Sequence, residues 1–145
     1  MGLYQGSEDE KSETLVLGRL MTLFGVDHVR MPKTSRMDAI LTRDGVSIAV
    51  VEIKHRKYSF ERMQELGSIY VDKKKLRVGQ SIAKSLAIKF LFVAKLTDAL
   101  LVVAVDPNDD LSKLEHSVSK LKRPRDLNDA DEVILLPVEK FRVIE

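Results

Sequence analysis

The chain contains no cysteine and no tryptophan. The first absence excludes a disulfide framework and any thiolate metal or redox chemistry. Aromatic residues are few and scattered, so base-stacking recognition is not indicated. No apolar run approaches the ~18 residues of a membrane span. The opening stretch MGLYQGSEDEKSE has no apolar run suited to a signal peptide, and Gly6 stands where a myristoylation signal would carry Ser or Thr. No glycine-rich phosphate loop or Ser-His-Asp order is present, and His28, His55 and His116 have no metal-ligand spacing. These absences lead us to expect a soluble, cytoplasmic protein that does not engage a membrane. Its 145 residues suffice for one domain with a core that needs no staples.

Charge is abundant but unevenly spread. Between Arg43 and Lys95 there are twelve basic and five acidic residues, a net +7, whereas the whole chain carries +2. A basic middle flanked by acidic ends is an electrostatic footprint suited to a polyanion such as DNA.

Helical spacing of Val16, Leu17, Leu20, Leu23 and Phe24, followed by Gly25, predicts a first helix over residues 8–24. A short strand follows near Asp27–Met31, then a polar loop. Two apolar runs, Met37–Thr42 and Val46–Lys54, flank Asp44-Gly45 and form a hairpin. Both alternating sets of the second run are apolar, which makes it an interior strand covered on each side. A helical pattern around Phe60–Leu66 comes next, and a further helix over Lys74–Lys89 would turn Leu76, Ala83, Leu86 and Ala87 inward. Phe90–Ala94 and Ala99–Val105 read as strands. Leu111, Leu114, Val118 and Leu121 suggest a short helix, and Val133–Leu136 a late, peripheral strand. The order describes an α/β sandwich around a mixed sheet, with a core over about 8–105 and a C-terminal extension over 106–145.

Within this frame three residues form a set. Glu52 and Lys54 share one face of the interior strand, and Asp38 lies on the facing strand of the hairpin. Hairpin register decides whether Asp38 joins them. A two-residue loop would pair Arg43 with Val46 and send Asp38 to the wrong face. A three-residue loop, Arg43-Asp44-Gly45, would bring Asp38 onto the same face, so that loop or another of equal parity is expected. Two such carboxylates are hard ligands suited to Mg²⁺, with Mn²⁺ as a substitute, and the Ile53 carbonyl could add a third oxygen. Lys54 could orient an attacking water or stabilise charge. Glu13, at the upstream end of the first helix's apolar stripe, reads first as a structural glutamate and could also supply a carboxylate. Glu10 is its weaker rival. The run Lys73-Lys74-Lys75, with Arg77, sits unfavourably at a helix start unless it receives a phosphate, and Lys75 would lie nearest the site.

An N-terminal helix with Glu13, a hairpin with Asp38, and Glu52-Ile53-Lys54 together resemble the PD-(D/E)XK nuclease superfamily. Its small archaeal Holliday-junction resolvases and stand-alone phage nucleases are the nearest in layout. Met37 stands where many members carry proline. The resemblance implies a restriction-endonuclease-like fold and metal-dependent hydrolysis of DNA phosphodiesters, with a preference for branched or junction DNA in view. It further implies a homodimer with two sites, and a helper role for Ser35. A non-catalytic DNA-binding or assembly module of the same fold, or an RNA-processing nuclease, would fit the same residues.

Overall fold

The protein is described by a computed structural model, which covers residues 2–32, 37–109, 116–118 and 132–145. Helix α1 (Gly2–Phe24) stops at Gly25, whose left-handed backbone (φ 65°) returns its N–H to the Met21 carbonyl at 2.9 Å. Val16, Leu17 and Leu20 are buried as the spacing requires, whereas Leu23 points outward. Strands β1 (Asp27–Arg30), β2 (Ala39–Arg43) and β3 (Val46–His55) follow as an antiparallel meander. Helix α2 (Phe60–Leu66) begins at a Ser59 cap and ends at left-handed Gly67. Strand β4 (Ser68–Asp72) runs directly into helix α3 (Lys73–Leu86), with Asp72 as the cap. Strands β5 (Lys89–Lys95) and β6 (Leu100–Val105) complete the core meander. Then come β7 (His116–Val118), β8 (Glu132–Pro137), one 3₁₀ turn (Val138–Lys140) and the short β9 (Arg142–Val143).

The main sheet has six strands in the order β1-β2-β3-β5-β6-β9, mixed because β3 and β5 run parallel. Strand β3 is thus interior, as its doubly apolar pattern predicts. Two buried layers lie on its two faces. One joins α1 through Val16, Leu17 and Leu20 to Ala39, Ala49, Val51 and Ile53. The other joins Val50, Phe90 and Phe92 to Leu76 and Ala83 of α3. Gly79 allows that second contact: a Cβ there would overlap the Phe90 ring. The architecture is the expected α/β sandwich, a mixed sheet between helices.

Three expectations change, and one segment on which none was stated takes a defined structure. Helix α3 ends three residues early, with Ala87 left-handed as its cap. Its buried stripe is Leu76, Gly79, Gln80 and Ala83, which leaves Leu86 and Ala87 outside. The segment 69–71 is a strand, β4, in a second three-stranded sheet ordered β4-β8-β7. Val118 lies in β7 and not in a helix, because His116–Val118 pairs with β8; the rest of the expected helix lies outside the described residues. The late strand is not peripheral: Ile134, Leu136 and Phe141 share the α3-side core, and Phe141 meets Phe92 edge to face at 6.2 Å. Among the described residues no helix is long and apolar enough to cross a membrane.

Candidate active site

The hairpin that decides the site has a turn unlike the expected one. Asp44 (φ 53°) and Gly45 (φ 78°) are both left-handed, and Arg43 pairs directly with Val46, so the loop has two residues. That register alone would send Asp38 to the wrong face. It changes between Leu41 and Thr42: Thr42 still opposes Ser47, but Leu41 opposes Ala49. Ile48 is the extra residue of a β-bulge. Beyond it Ala39 pairs with Val51, so Asp38 comes level with Glu52 and takes its face. The required parity is met by a bulge in β3 and not by a longer loop.

Asp38 is fixed from both ends. Its N–H donates to the Val51 carbonyl (3.0 Å), and its Oδ2 accepts from the Ile53 N–H at 2.6 Å. The Glu52 carboxyl stands within hydrogen-bonding reach of Asp38 and is almost wholly buried, at 1 % exposure. Burial, then the Asp38 charge, pushes Glu52 up to about 8, while Lys75 acts in the opposite direction. The Lys75 Nζ lies 3.0 Å from Glu52 Oε2 and the Lys54 Nζ 3.8 Å away. The first contact lacks the angles of a hydrogen bond and the second is too long for one, so Oε2 is a buried oxygen with ionic neighbours and no hydrogen-bond donor.

The two ammonium groups diverge. Burial, followed by contact with Lys75, lowers Lys54 below the usual lysine range, against the pull of Glu52. Burial acts downward on Lys75 too, but contact with Lys54 and the charges of Glu52 and Asp38 outweigh it and leave Lys75 raised. The pair therefore divides its labour, Lys75 retaining charge and Lys54 more readily giving up its proton.

The set fits a divalent cation. Two crowded carboxyl groups, one with an oxygen lacking a donor, form a hard-oxygen donor set whose mutual repulsion a cation would relieve. Among the described residues no third acidic or imidazole group joins them. The Ile53 carbonyl and water would have to complete the shell.

The other candidates divide. Lys75 reaches the site, whereas Lys74 and Arg77 lie exposed and Lys73 half-buried on the first turns of α3. The start of α3 is less open to phosphate than the lysine run suggests, because Asp72 Oδ1 already accepts from the Lys74 N–H (2.9 Å). Glu13 pairs with Arg30 at 2.9 Å, on the helix that covers the opposite sheet face. Ser35 lies outside the described residues.

Two residues escaped the reading of the sequence. The Arg56 guanidinium donates to the Tyr70 carbonyl (2.8 Å) and to the His55 carbonyl (3.1 Å), and stands 5.0 Å from the Tyr70 ring centroid. Its charge is among those that lower Lys54. Continuing the alternation 52, 54, 56 would have found Arg56; nothing in the sequence points to Tyr70 beside it.

A model of one protein family, described as "phage putative PDDEXK endonuclease", matches residues 2–144. No curated protein matches the chain. Among solved structures, the Holliday junction resolvase of Archaeoglobus fulgidus, an archaeal hyperthermophile, aligns with a TM-score of 0.49 and 13 % identity, over 83 % of this chain and 84 % of its own.

Proposed function

This chain belongs to the phage putative PDDEXK endonuclease family, and on that premise we propose that it is a Mg²⁺-dependent DNA endonuclease that works at Asp38, Glu52 and Lys54. One observation carries the reading: two carboxyl groups, Asp38 and buried Glu52, crowd together beside two lysines on the α3 face of the sheet. A buried carboxyl pushed up to about 8 beside a second carboxyl is the kind of perturbed pair that gathers at functional sites.

Asp38, Glu52 and the Ile53 carbonyl would hold the metal. Bound there, a divalent ion supplies Lewis acidity toward the scissile phosphate. Lys54, beside Glu52, orients the water that attacks phosphorus or stabilises the charge that builds there. Lys75 keeps its charge and neutralises the phosphoryl oxygens as charge builds on them. Lys73, Lys74 and Arg77 hold the backbone next to the cut, and Ser35 would assist from the preceding loop. Glu13 is a further candidate ligand that would first have to leave Arg30. Two copies would present two sites to two strands, and the protein would act in the cytoplasm.

The test is incubation of purified protein with supercoiled, linear, single-stranded and four-way-junction DNA, and with RNA. Each substrate is tried in Mg²⁺, in Mn²⁺ and in EDTA. Cleavage of DNA in either metal, none in EDTA, and none by Asp38→Asn is the expected result. Salt-sensitive DNA binding without cleavage would identify a non-catalytic module; cleavage of RNA alone would identify an RNA-processing enzyme. Light scattering of the same preparation reports whether it is a dimer.

A further inference from the structure

The basic middle of the sequence is not used up by the catalytic face. On the α1 side of the sheet, toward the strand ends remote from Glu52, α1 leaves part of the apolar layer uncovered and a groove of about 900 Å³ opens there. Its floor is apolar, with Leu41, Ala49 and Leu91 from three adjacent strands and Phe24 at the end of α1. The bulge residue Ile48 forms part of the wall. Four exposed cations line it, Arg43, Lys89, Lys140 and Arg142, and among the described residues no carboxylate does. Arg43 donates to the Phe24 carbonyl at 3.1 Å. Lys89, Lys140 and Arg142 have no carboxylate partner among the described residues, although cations elsewhere such as Arg19 and Arg30 do.

We propose that this groove docks an acidic peptide segment of a partner protein that inserts at least one large apolar side chain. Charge and shape argue for that occupant together. An apolar floor rewards burial of aliphatic or aromatic surface at roughly 25 cal/mol per Å². A rim of one sign selects carboxylates and repels basic partners. A second copy docked face to face would bring like cations together, so the isologous contact of a twofold dimer is disfavoured here. A nucleic acid would use the cations but leave the floor wet. DNA engaged at Lys54 and Lys75 lies across the other sheet face, so it does not reach this one. Peptide docking therefore leaves the catalytic face open and delivers the nuclease to a site chosen by the partner.

The experiment titrates the full-length protein, in EDTA, against three fluorescein-labelled probes read by anisotropy. The first is a synthetic ten-residue peptide of six Asp or Glu with two Leu and two Phe. The second replaces the four apolar residues by Ser, and the third is a twenty-nucleotide single strand. Saturable binding of the first peptide, weakened at least about tenfold in the second and again in a Lys89→Glu/Arg142→Glu variant, is expected; tenfold corresponds to ~1.4 kcal/mol. An unchanged melting temperature shows that the variant folds, and DNA cleavage by it should match wild type. The proposal fails if the acidic apolar peptide does not saturate, or if the Ser-substituted peptide binds as well. It fails equally if the double variant loses the oligonucleotide and not the peptide, or if it alters self-association alone.

Discussion

On one face of β3, Ala49, Val51 and Ile53 share a buried layer with Leu17 and Leu20 of α1. On the other face, Val50 begins an equally buried layer, but the next two side chains outward are Glu52 and Lys54. Both faces exclude water at Glu52's level, yet only one contains ionisable groups, and there the pKa values move. The apolar face contributes stability through packing alone. The charged face instead buries a carboxyl whose ionisation burial and Asp38 oppose.

The strongest way to break this contrast leaves every site residue in place. Deleting Ile48 removes the bulge, so the two-residue register runs on and Asp38 turns to the α1 face. DNA cleavage should fall as far as in Asp38→Asn, by roughly 10³-fold or more, comparable to losing a principal catalytic group. A deletion variant that cuts normally would show that the register does not assemble the site.

Next in size is Lys75→Ala, which should lower kcat by about 10²-fold as a lost electrostatic stabiliser. Lys74→Ala, one residue away and exposed, should act mainly on KM and reduce the salt dependence of binding by about one phosphate contact. Equal effects on kcat would erase the distinction between them.

Stability then separates the faces. Val51→Ala on the α1 side should cost about 1–3 kcal/mol in denaturant melts while kcat changes little. Glu52→Gln should do the reverse, abolishing cleavage while stabilising the metal-free protein at neutral pH. The sign follows from linkage. Glu52 holds its proton to about pH 8 when folded, against an ordinary value of 4.5, so the unfolded chain releases that proton first as pH rises. Its contribution is fully present below pH 4.5 and is lost progressively toward pH 8, at up to about 1.4 kcal/mol per pH unit. Melts in EDTA at pH 5 and pH 8 should show the loss in wild type and not in Glu52→Gln.

How much of this was legible depended on how local the cause was. The doubly apolar run of β3 announced an interior strand, and the same-face requirement of Asp38, Glu52 and Lys54 announced a parity. Lys75 followed from helical offset after Asp72. The device that sets the parity was hidden because Asp44-Gly45 suits a two-residue turn. The extra residue then moved into β3, where neither Ser47 nor Ile48 is an unusual strand residue. The second sheet was hidden for a different reason. Residues 69–71 bond to β8, more than sixty positions later, and no local pattern encodes a distant partner. Apolar spacing suggested a helix around Val118, and pairing with β8 overrode it there.

Strand β4 passes into α3 without an intervening residue, and β8 is the strand that holds β4 in its sheet. Residues 133–137 of β8 pair with β4 along its whole length, so the start of α3, and Lys75 with it, is tied to a strand outside the central sheet. Both acids sit on the β2–β3 hairpin of the central sheet, whereas the ammonium beside Glu52 arrives on a separate helix. A substitution in α3 that shifts Lys75 would therefore change the charge beside Glu52 while both acids stay in place.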